Sequence, residues 1–201
     1  MGDPQVYDEN GNAVKLSRDL TNVDALRYMG TMQPLWYGGL TNQFTYKDFS
    51  LSFMFIYNLG HKMRNDVNTF WSGRLTENIN KDFTGRWREP GDELLTDIPS
   101  YVANENESTS RREMSFYQYA DINVLNASYV KLRDVTLSYT LPQVFCHKLL
   151  CDNIRIRLQA SNLFYIAANN KGIDPEAYNL RSGIRADHYG PSFSIGLNID
   201  L

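Results

Sequence analysis

"WYGGLTNQFTYKDFSLSFMFIYNL", residues 36 to 59, consists of two runs of eleven residues separated only by Lys47 and Asp48. The second run alternates strictly, with Phe49, Leu51, Phe53, Phe55, Tyr57 and Leu59 on one side and Ser50, Ser52, Met54, Ile56 and Asn58 on the other. Period two marks a β-strand, because successive side chains leave a pleated backbone on opposite faces. Two such runs with a two-residue connection read as a hairpin with a tight turn.

Three further runs share the pattern. "YVKLRDVTLSYTL" (129 to 141) sets Val135, Leu137, Tyr139 and Leu141 against Asp134, Thr136, Ser138 and Thr140. "NIRIRLQASNLF" (153 to 164) sets Ile154, Ile156, Leu158 and Ala160 against Arg155, Arg157, Gln159 and Ser161. "PSFSIGLNIDL" (191 to 201) sets Phe193, Ile195, Leu197, Ile199 and Leu201 against Ser194, Gly196, Asn198 and Asp200. Each run has 11 to 13 residues, against about 5 to 6 for an ordinary strand. Tilted strands of about 9 to 11 residues are what a bilayer demands.

The connections are lopsided. Residues 47–48 and 142–152 are short links, whereas 60–128 and 165–190 are long ones. An antiparallel arrangement puts both short links at one end of the sheet and both long ones at the other. Tyr46, Phe49 and Tyr139 fall beside the short turns; Trp36, Tyr37, Tyr57, Tyr129, Phe164, Tyr165, Tyr189 and Phe193 fall beside the long loops. Two aromatic belts at two depths are the girdles of an outer-membrane barrel. A soluble β-sandwich with aromatic carbohydrate-binding loops also alternates and is the alternative. Strand length, loop asymmetry and the belts favour an all-β, antiparallel transmembrane barrel segment of about five long strands.

Composition agrees with a chain whose apolar residues are hidden by averaging. Mean hydropathy is −0.44 although the 201 residues include 13 Tyr and 10 Phe. No stretch of 18 or more apolar residues occurs, which rules out a transmembrane helix but not a barrel. A net charge of −3 offers no basic footprint, so no nucleic-acid partner is expected. The opening "MGDPQVYDENGN" (1 to 12) has neither a basic n-region nor an apolar h-region. Either the protein is cytosolic or its targeting signal lies upstream.

The loop 60–128 is too long for a passive connection and is expected to carry structure of its own. From Asp66, a candidate N-cap, Val67, Trp71, Leu75, Ile79 and Phe83 recur every four residues, which predicts a helix. Trp71, Trp87, Tyr101, Tyr117 and Tyr119, set among Asn, Ser, Arg and acids, suit stacking and hydrogen bonding with a polar ligand or a protein partner. For any one of them, packing of the loop on itself is the stronger expectation.

No catalytic centre is expected. Gly-x-Ser-x-Gly, His-Glu-x-x-His and Gly-x-Gly-x-x-Gly are all absent, and His61, His147 and His188 have no evident triad partners. Nothing in the sequence sets a separation for the loop carboxylates Glu93, Asp97, Glu105 and Glu107, so a glycosidase pair has little support. Asp8, Asn10 and Asn12 resemble the start of a calcium loop. The sixth and twelfth positions, however, are Ala13 and Asp19 rather than Gly and Glu, so a polar Asx turn is expected in 8–19 and no cofactor. Cys146, His147 and Cys151 supply only three ligands and lack paired zinc spacing. In a helical turn, residues five apart are too distant to bridge, so the cysteines are expected to be apolar fillers.

Several stretches resemble the C-terminal part of the SusC/RagA family of TonB-linked outer-membrane transporters. They are "GDPQVYDENGN" (2 to 12), "YGGLTNQFTYKDFSLSFMFIYNLG" (37 to 60), "RWREPGDELLTDIPSY" (86 to 101), "ASYVKLRDVTLSYTLP" (127 to 142), "RLQASNLFY" (157 to 165), "GIDPEAYN" (172 to 179) and "FSIGLNIDL" (193 to 201). The resemblance implies a C-terminal fragment of a plugged barrel of about 22 strands, in the outer membrane of a Gram-negative, Bacteroidetes-like cell. Such a barrel imports glycans or peptides, takes energy from TonB through an N-terminal part not in this chain, and works with a SusD-like surface lipoprotein. Residues 1–35 would then be an extracellular loop segment. Residues 36–201 would supply barrel strands with surface loops 60–128 and 165–190, packed against the rest of the barrel and plug. Phe49, Leu51, Phe53, Phe55, Val135, Leu137, Ile154, Ile156, Ile195 and Leu197 would face outer-membrane lipid. The last strand of such a barrel ends in the periplasm, which puts both long loops outside.

Overall fold

The computed structural model describes residues 2–20, 22–67, 71–74, 81–179, 185–186 and 190–201. Its strands are β1 (Val6–Tyr7), β2 (Ala13–Val14), β3 (Trp36–Tyr46), β4 (Phe49–Leu59), β5 (Lys62–Arg64), β6 (Val124–Asn126), β7 (Tyr129–Thr140), β8 (Asn153–Ala167) and β9 (Ser192–Asp200). Three short helices, α1 (Glu105–Arg111), α2 (Ser115–Tyr119) and α3 (Gln143–Lys148), accompany them. The chain divides into two compact units. One is built on Met1–Gly30 and Met63–Leu125, the other on Thr31–Lys62, Asn126–Asn179 and Arg185–Leu201.

The second unit is a single antiparallel sheet in the order β3-β4-β7-β8-β9. β3 and β4 pair over their whole length, from Trp36 opposite Leu59 to Tyr46 opposite Phe49. Lys47 makes the two-residue turn possible by taking a left-handed backbone, φ 53°. At the other end of this hairpin Gly38 lies opposite Tyr57, and a Cβ on Gly38 would come within 2.7 Å of the Tyr57 hydroxyl. The tyrosine thus covers backbone that a glycine leaves bare.

Directly opposed residues in an antiparallel sheet share a face. The register therefore gathers Phe44, Leu51, Leu137 and Leu158 into one row, continued by Ile195 on β9. Tyr46, Phe49, Tyr139 and Ile156 form the next row, with the Phe49 and Tyr139 ring centroids 4.5 Å apart. Phe53 and Val135 are opposed above them.

Strict alternation cannot hold along β7. Counting by twos from Val135 and Leu137 would bring Lys131 and Arg133 onto the apolar face. A bulge prevents this: Met54 pairs with Asp134 but Phe55 pairs with Leu132, so Arg133 is an extra residue opposite β4. The extra residue resets the alternation. Val130 and Leu132 rejoin the apolar side, while Arg133 and Asp134 both point to the polar one. On β8 the matching irregularity contains Asn162, φ 55°, whose side-chain oxygen accepts from the Arg133 guanidinium at 3.1 Å.

The sheet unit bears on the sandwich alternative and corrects one expectation. A β-sandwich would bury this apolar face against a second sheet. Among the described residues the only other sheets are the small ribbons β1-β2 and β5-β6, and the centre of the face stays open, with Leu51 and Leu137 each 38% exposed. The aromatic belt beside the long loops is also thinner than expected. Tyr37, Asn58 and Tyr129 are opposed on the polar face, and Tyr165 pairs there with Lys131. The belt residue Tyr189 lies outside the described residues.

In the other unit the helix expected from Asp66 does not form across 71–74. Ser72 makes a parallel bridge to Val102, and Gly73 takes a left-handed φ of 72°, which no α-helix accommodates. Leu75 and Ile79 lie outside the described residues, and Phe83 sits in a 3₁₀ turn, Lys81–Gly85. Trp71 and Phe83 meet all the same, with centroids 5.8 Å apart. Tertiary packing, not helical spacing, brings them together.

Candidate functional site

Three features carry chemistry. The first is the apolar face of the sheet. Leu40, Phe44, Leu158, Ile195 and Leu197 are each at least 45% exposed on it, and a contiguous patch of such size is rare on a water-soluble monomer. Phe49, Leu51, Phe53, Phe55, Val135, Leu137, Ile156, Ile195 and Leu197 belong to this face by register. Ile154, opposed to Ile199, belongs to it as well but is buried beside Leu141 and the cysteines at the short-turn end.

The second feature lies on the polar face, toward the long-loop end. Lys131 is 2% exposed, and its ammonium sits 2.7 Å from a Glu176 carboxylate oxygen and 3.4 Å from one of Asp174. Arg133 reaches Glu176 at 3.1 Å. The Tyr129 hydroxyl donates to Glu176 at 2.9 Å and accepts from the side-chain amide of Asn58. Two cations and two carboxylates thus close on one another, and their hydrogen bonds offset the cost of burial. They anchor the turn Pro175–Ala177, capped by the Asp174 side chain, to the sheet. Lower on the same face, Asp134 accepts from Thr136, Gln159 and Ser161. In the sequence Tyr129 reads as a belt aromatic and Asn58, Asp134, Thr136, Gln159 and Ser161 as polar sides of their strands, but nothing there picks out Lys131, Arg133, Asp174 and Glu176. The available signals were the broken alternation at "KLRD" and two acids two residues apart in "GIDPEAY".

The third feature is the loop unit, which holds the five aromatics named from sequence. Trp71 and Tyr117 are buried and meet edge to face at 5.6 Å; Tyr101 packs against Phe83 at 5.8 Å. These three form a core with Phe83. Trp87 stands apart, half-buried. Its indole N–H donates to Glu93 at 3.0 Å, and it covers Gly2, where a Cβ would meet the indole at 2.5 Å. Tyr119 is exposed beneath the Arg64 guanidinium, 4.9 Å from the ring centre. Burial, with the Asp82 and Asp97 carboxylates adding to it, pushes the Tyr117 hydroxyl up to about 12.

The same unit buries a charge cluster. Arg112 is 2% exposed, donates to Ser100, Ser108 and the Trp71 carbonyl, and lies 3.6 Å from Asp3. Asp3 also receives Arg111 at 3.1 Å and Lys15 at 3.6 Å. Burial lowers the pKa of Arg112, and the Asp3 charge opposes that shift. Nearby, Asp8 does what an Asx turn requires: its carboxylate accepts the N–H groups of Asn10 and Asn12 and the Asn12 amide. Those bonds, the Asn12 side chain first, lower its pKa. A groove of about 660 Å³, open to solvent, runs between Arg86, Trp87, Tyr101 and Arg111.

No protein-family model matches the chain. It is 28% identical over 213 residues to TonB-dependent receptor P39 of Formosa agariphila, a match that covers 100% of this chain and 19% of that protein. TonB-dependent receptor P3 of the same organism is 27% identical over 184 residues, 86% of this chain and 17% of the relative. Among solved structures, the RagAB peptide importer in its "closed-closed" state matches with a TM-score of 0.64 and 26% identity, over 95% of this chain and 20% of that one.

The chain is SusC/RagA-like. In its "open-open" state the RagAB peptide importer gives the same TM-score of 0.64 at 22% identity. The chain spans about a fifth of the length of these relatives, 17 to 20%. As a SusC/RagA-like chain it brings one apolar sheet face, a charged anchor for 174–176 on the opposite face, and an aromatic loop unit.

Proposed function

We propose that this chain is a wall segment of a TonB-dependent outer-membrane transporter, with β3, β4, β7, β8 and β9 as neighbouring strands of its barrel. The observation that carries the proposal is the apolar face. It runs through all five strands in register, with the row Tyr46, Phe49 and Tyr139 toward the short-turn end, and among the described residues nothing in the sheet unit covers its centre. Hydrocarbon is the solvent for which such a face is stable. Phe49, Leu51, Phe53, Phe55, Val135, Leu137, Ile156, Ile195 and Leu197 face lipid, Ile154 lies on the same side but beneath Leu141 and the cysteines, and the opposite face, with Asp134 and the Lys131 cluster, faces the lumen.

The edges β3 and β9 present unpaired backbone groups, which within a bilayer must find partners. The remainder of the barrel supplies them. Plug and TonB-contacting segment belong to the parent protein. Residues 1–35, 60–128 and 165–190 are its surface loops, where Trp87, Tyr101 and Tyr119 offer a contact surface for cargo or for a SusD-like lipoprotein and the buried Trp71 and Tyr117 hold that loop together. The RagAB neighbours are a peptide importer, which supports a peptide as cargo and a lipoprotein partner of the RagB kind; a glycan cargo rests on the family resemblance alone.

Sidedness tests the proposal. In intact cells carrying the parent protein with Cys146 and Cys151 replaced, a cysteine at Gly91 reacts with a membrane-impermeant maleimide. One at Gln143 reacts only after the outer membrane is opened. Labelling of Gln143 in sealed cells discards the assignment.

A further inference from the structure

Cys146 and Cys151 are five residues apart, a separation that a continuing helix would hold too wide for a disulfide. The structure buries both cysteines as apolar fillers, but not on a continuing helix. After α3 the chain does not continue as helix: Leu150 takes a left-handed φ of 56°. The Cys151 N–H turns back to the Cys146 carbonyl at 3.2 Å and the Leu150 N–H to the His147 carbonyl at 3.3 Å. This is the paired hydrogen-bond pattern of a Schellman turn, in which the two residues linked by the longer bond also touch through their side chains. Here those two residues are both cysteines. They are 1% and 5% exposed, pack with Ile154 and Leu141 in one cluster, and the Cys151 Sγ lies 3.4 Å from the Cys146 carbonyl oxygen. A hydrogen bond closing that turn leaves the Cα atoms on the order of 5 to 7 Å apart, against the window of about 4.4 to 6.8 Å that a disulfide occupies.

We propose that Cys146 and Cys151 are a redox pair which closes to a disulfide and staples the turn between β7 and β8. In the structure both thiols are free. Closure requires a disulfide oxidant, either a small molecule or an oxidised dithiol protein. One cysteine thiolate attacks it to give a mixed disulfide, and the second cysteine displaces the carrier thiol. Two S–H bonds and the carrier's S–S bond are lost; one S–S bond and two carrier thiols form, so electrons and protons balance. Leu150 is the positioning residue, because its left-handed backbone is what brings the second cysteine back to the first. The inference rests on the fold of this turn alone, and the proposed periplasmic location supplies only the oxidant.

The test uses the full-length protein that carries this chain, extracted in detergent, equilibrated with oxidised and reduced glutathione, acid-quenched, alkylated and digested with trypsin. Cleavage after Arg133, Lys148 and Arg155 separates the cysteines, so the disulfide appears as Asp134–Lys148 linked to Leu149–Arg155. The linked pair is expected to replace both alkylated peptides at an oxidising glutathione ratio. Leu150→Gly, which adopts the left-handed backbone freely, keeps it. Leu150→Val, β-branched and poorly suited to that backbone, is expected to lower the ratio of disulfide to dithiol about tenfold, the equivalent of about 30 mV. Two separate alkylated peptides at every ratio, or glutathione adducts in place of the linked pair, overturn the proposal without touching the transport reading.

Discussion

The two units of this chain solve opposite solvent problems. In the loop unit the large aromatics are inside: Trp71 is 4% exposed and Phe83 8%. In the sheet unit many are outside, with Phe44 at 58% and Phe193 at 75%. Each unit nevertheless buries a charge cluster, Arg112 with Asp3 in the loop unit and Lys131 with Asp174 and Glu176 on the polar side of the sheet. A protein bathed only in water has no reason to build both placements of its aromatics. On the proposed function, one unit folds against water and the other against hydrocarbon, and the rule "apolar inside" holds only once the solvent is named.

That comparison can be broken by substitution. The largest effect is expected in the loop unit, where Trp71→Ala removes the ring joining Phe83 and Tyr117 and costs about 3 to 5 kcal/mol. It should raise amide exchange and protease cleavage across 81–119 while barrel insertion in the parent protein persists. Loss of insertion with an intact loop unit would reverse the roles of the two units.

The sheet gives the next largest effect. Phe53→Arg or Leu137→Arg costs about 2 to 4 kcal/mol in the assembled parent protein, because the charge enters hydrocarbon near mid-strand. Ser52→Arg or Thr136→Arg, one residue away on the polar face, is tolerated. Folding titrations in detergent or lipid measure both sets, and a swap of the tolerant and intolerant sets breaks the assignment of faces.

The smallest effect sharpens the boundary between strand and loop. His61, just beyond β4, is 2% exposed and meets the Tyr129 ring edge at 6.4 Å. Burial lowers its pKa from the ordinary value of 6.5. The unfolded chain therefore takes up the proton first as pH falls. Stability contributed by neutral His61 is complete above about 6.5 and is lost as pH drops from there toward the folded-state value. His61→Gln is expected to flatten the stability profile of the parent protein in that window and leave it unchanged above. A wild-type profile with no slope there would place the imidazole in water.

How much of this was legible follows from particular residues. β3 and β4 were readable to the residue, Trp36–Tyr46 and Phe49–Leu59, and β9 to within one residue of Phe193–Leu201. β8 ran three residues further than its alternation, to Ala167, because the irregularity at Asn162 interrupts the pattern without ending the strand. In the loop, the four-residue spacing of Val67, Trp71, Leu75, Ile79 and Phe83 suggested a helix. Gly73 and the bridge from Ser72 to Val102 gave Trp71 and Phe83 another way to meet.

By itself, then, the sequence determined the five strands, the apolar face of β4, β8 and β9 and of β7 from Val135 onward, and which end of the sheet carries the long loops. Alternation is written one residue at a time, because every side chain on a strand must suit the medium on its own side. Only the tertiary structure decided that Arg133 is a bulge, that Lys131 finds Asp174 and Glu176 more than forty residues on, that Asp3 meets Arg111 and Arg112, and that Cys151 returns to Cys146. Each of those depends on partners brought together by the path of the chain or on one backbone torsion, and neither leaves a period in the sequence.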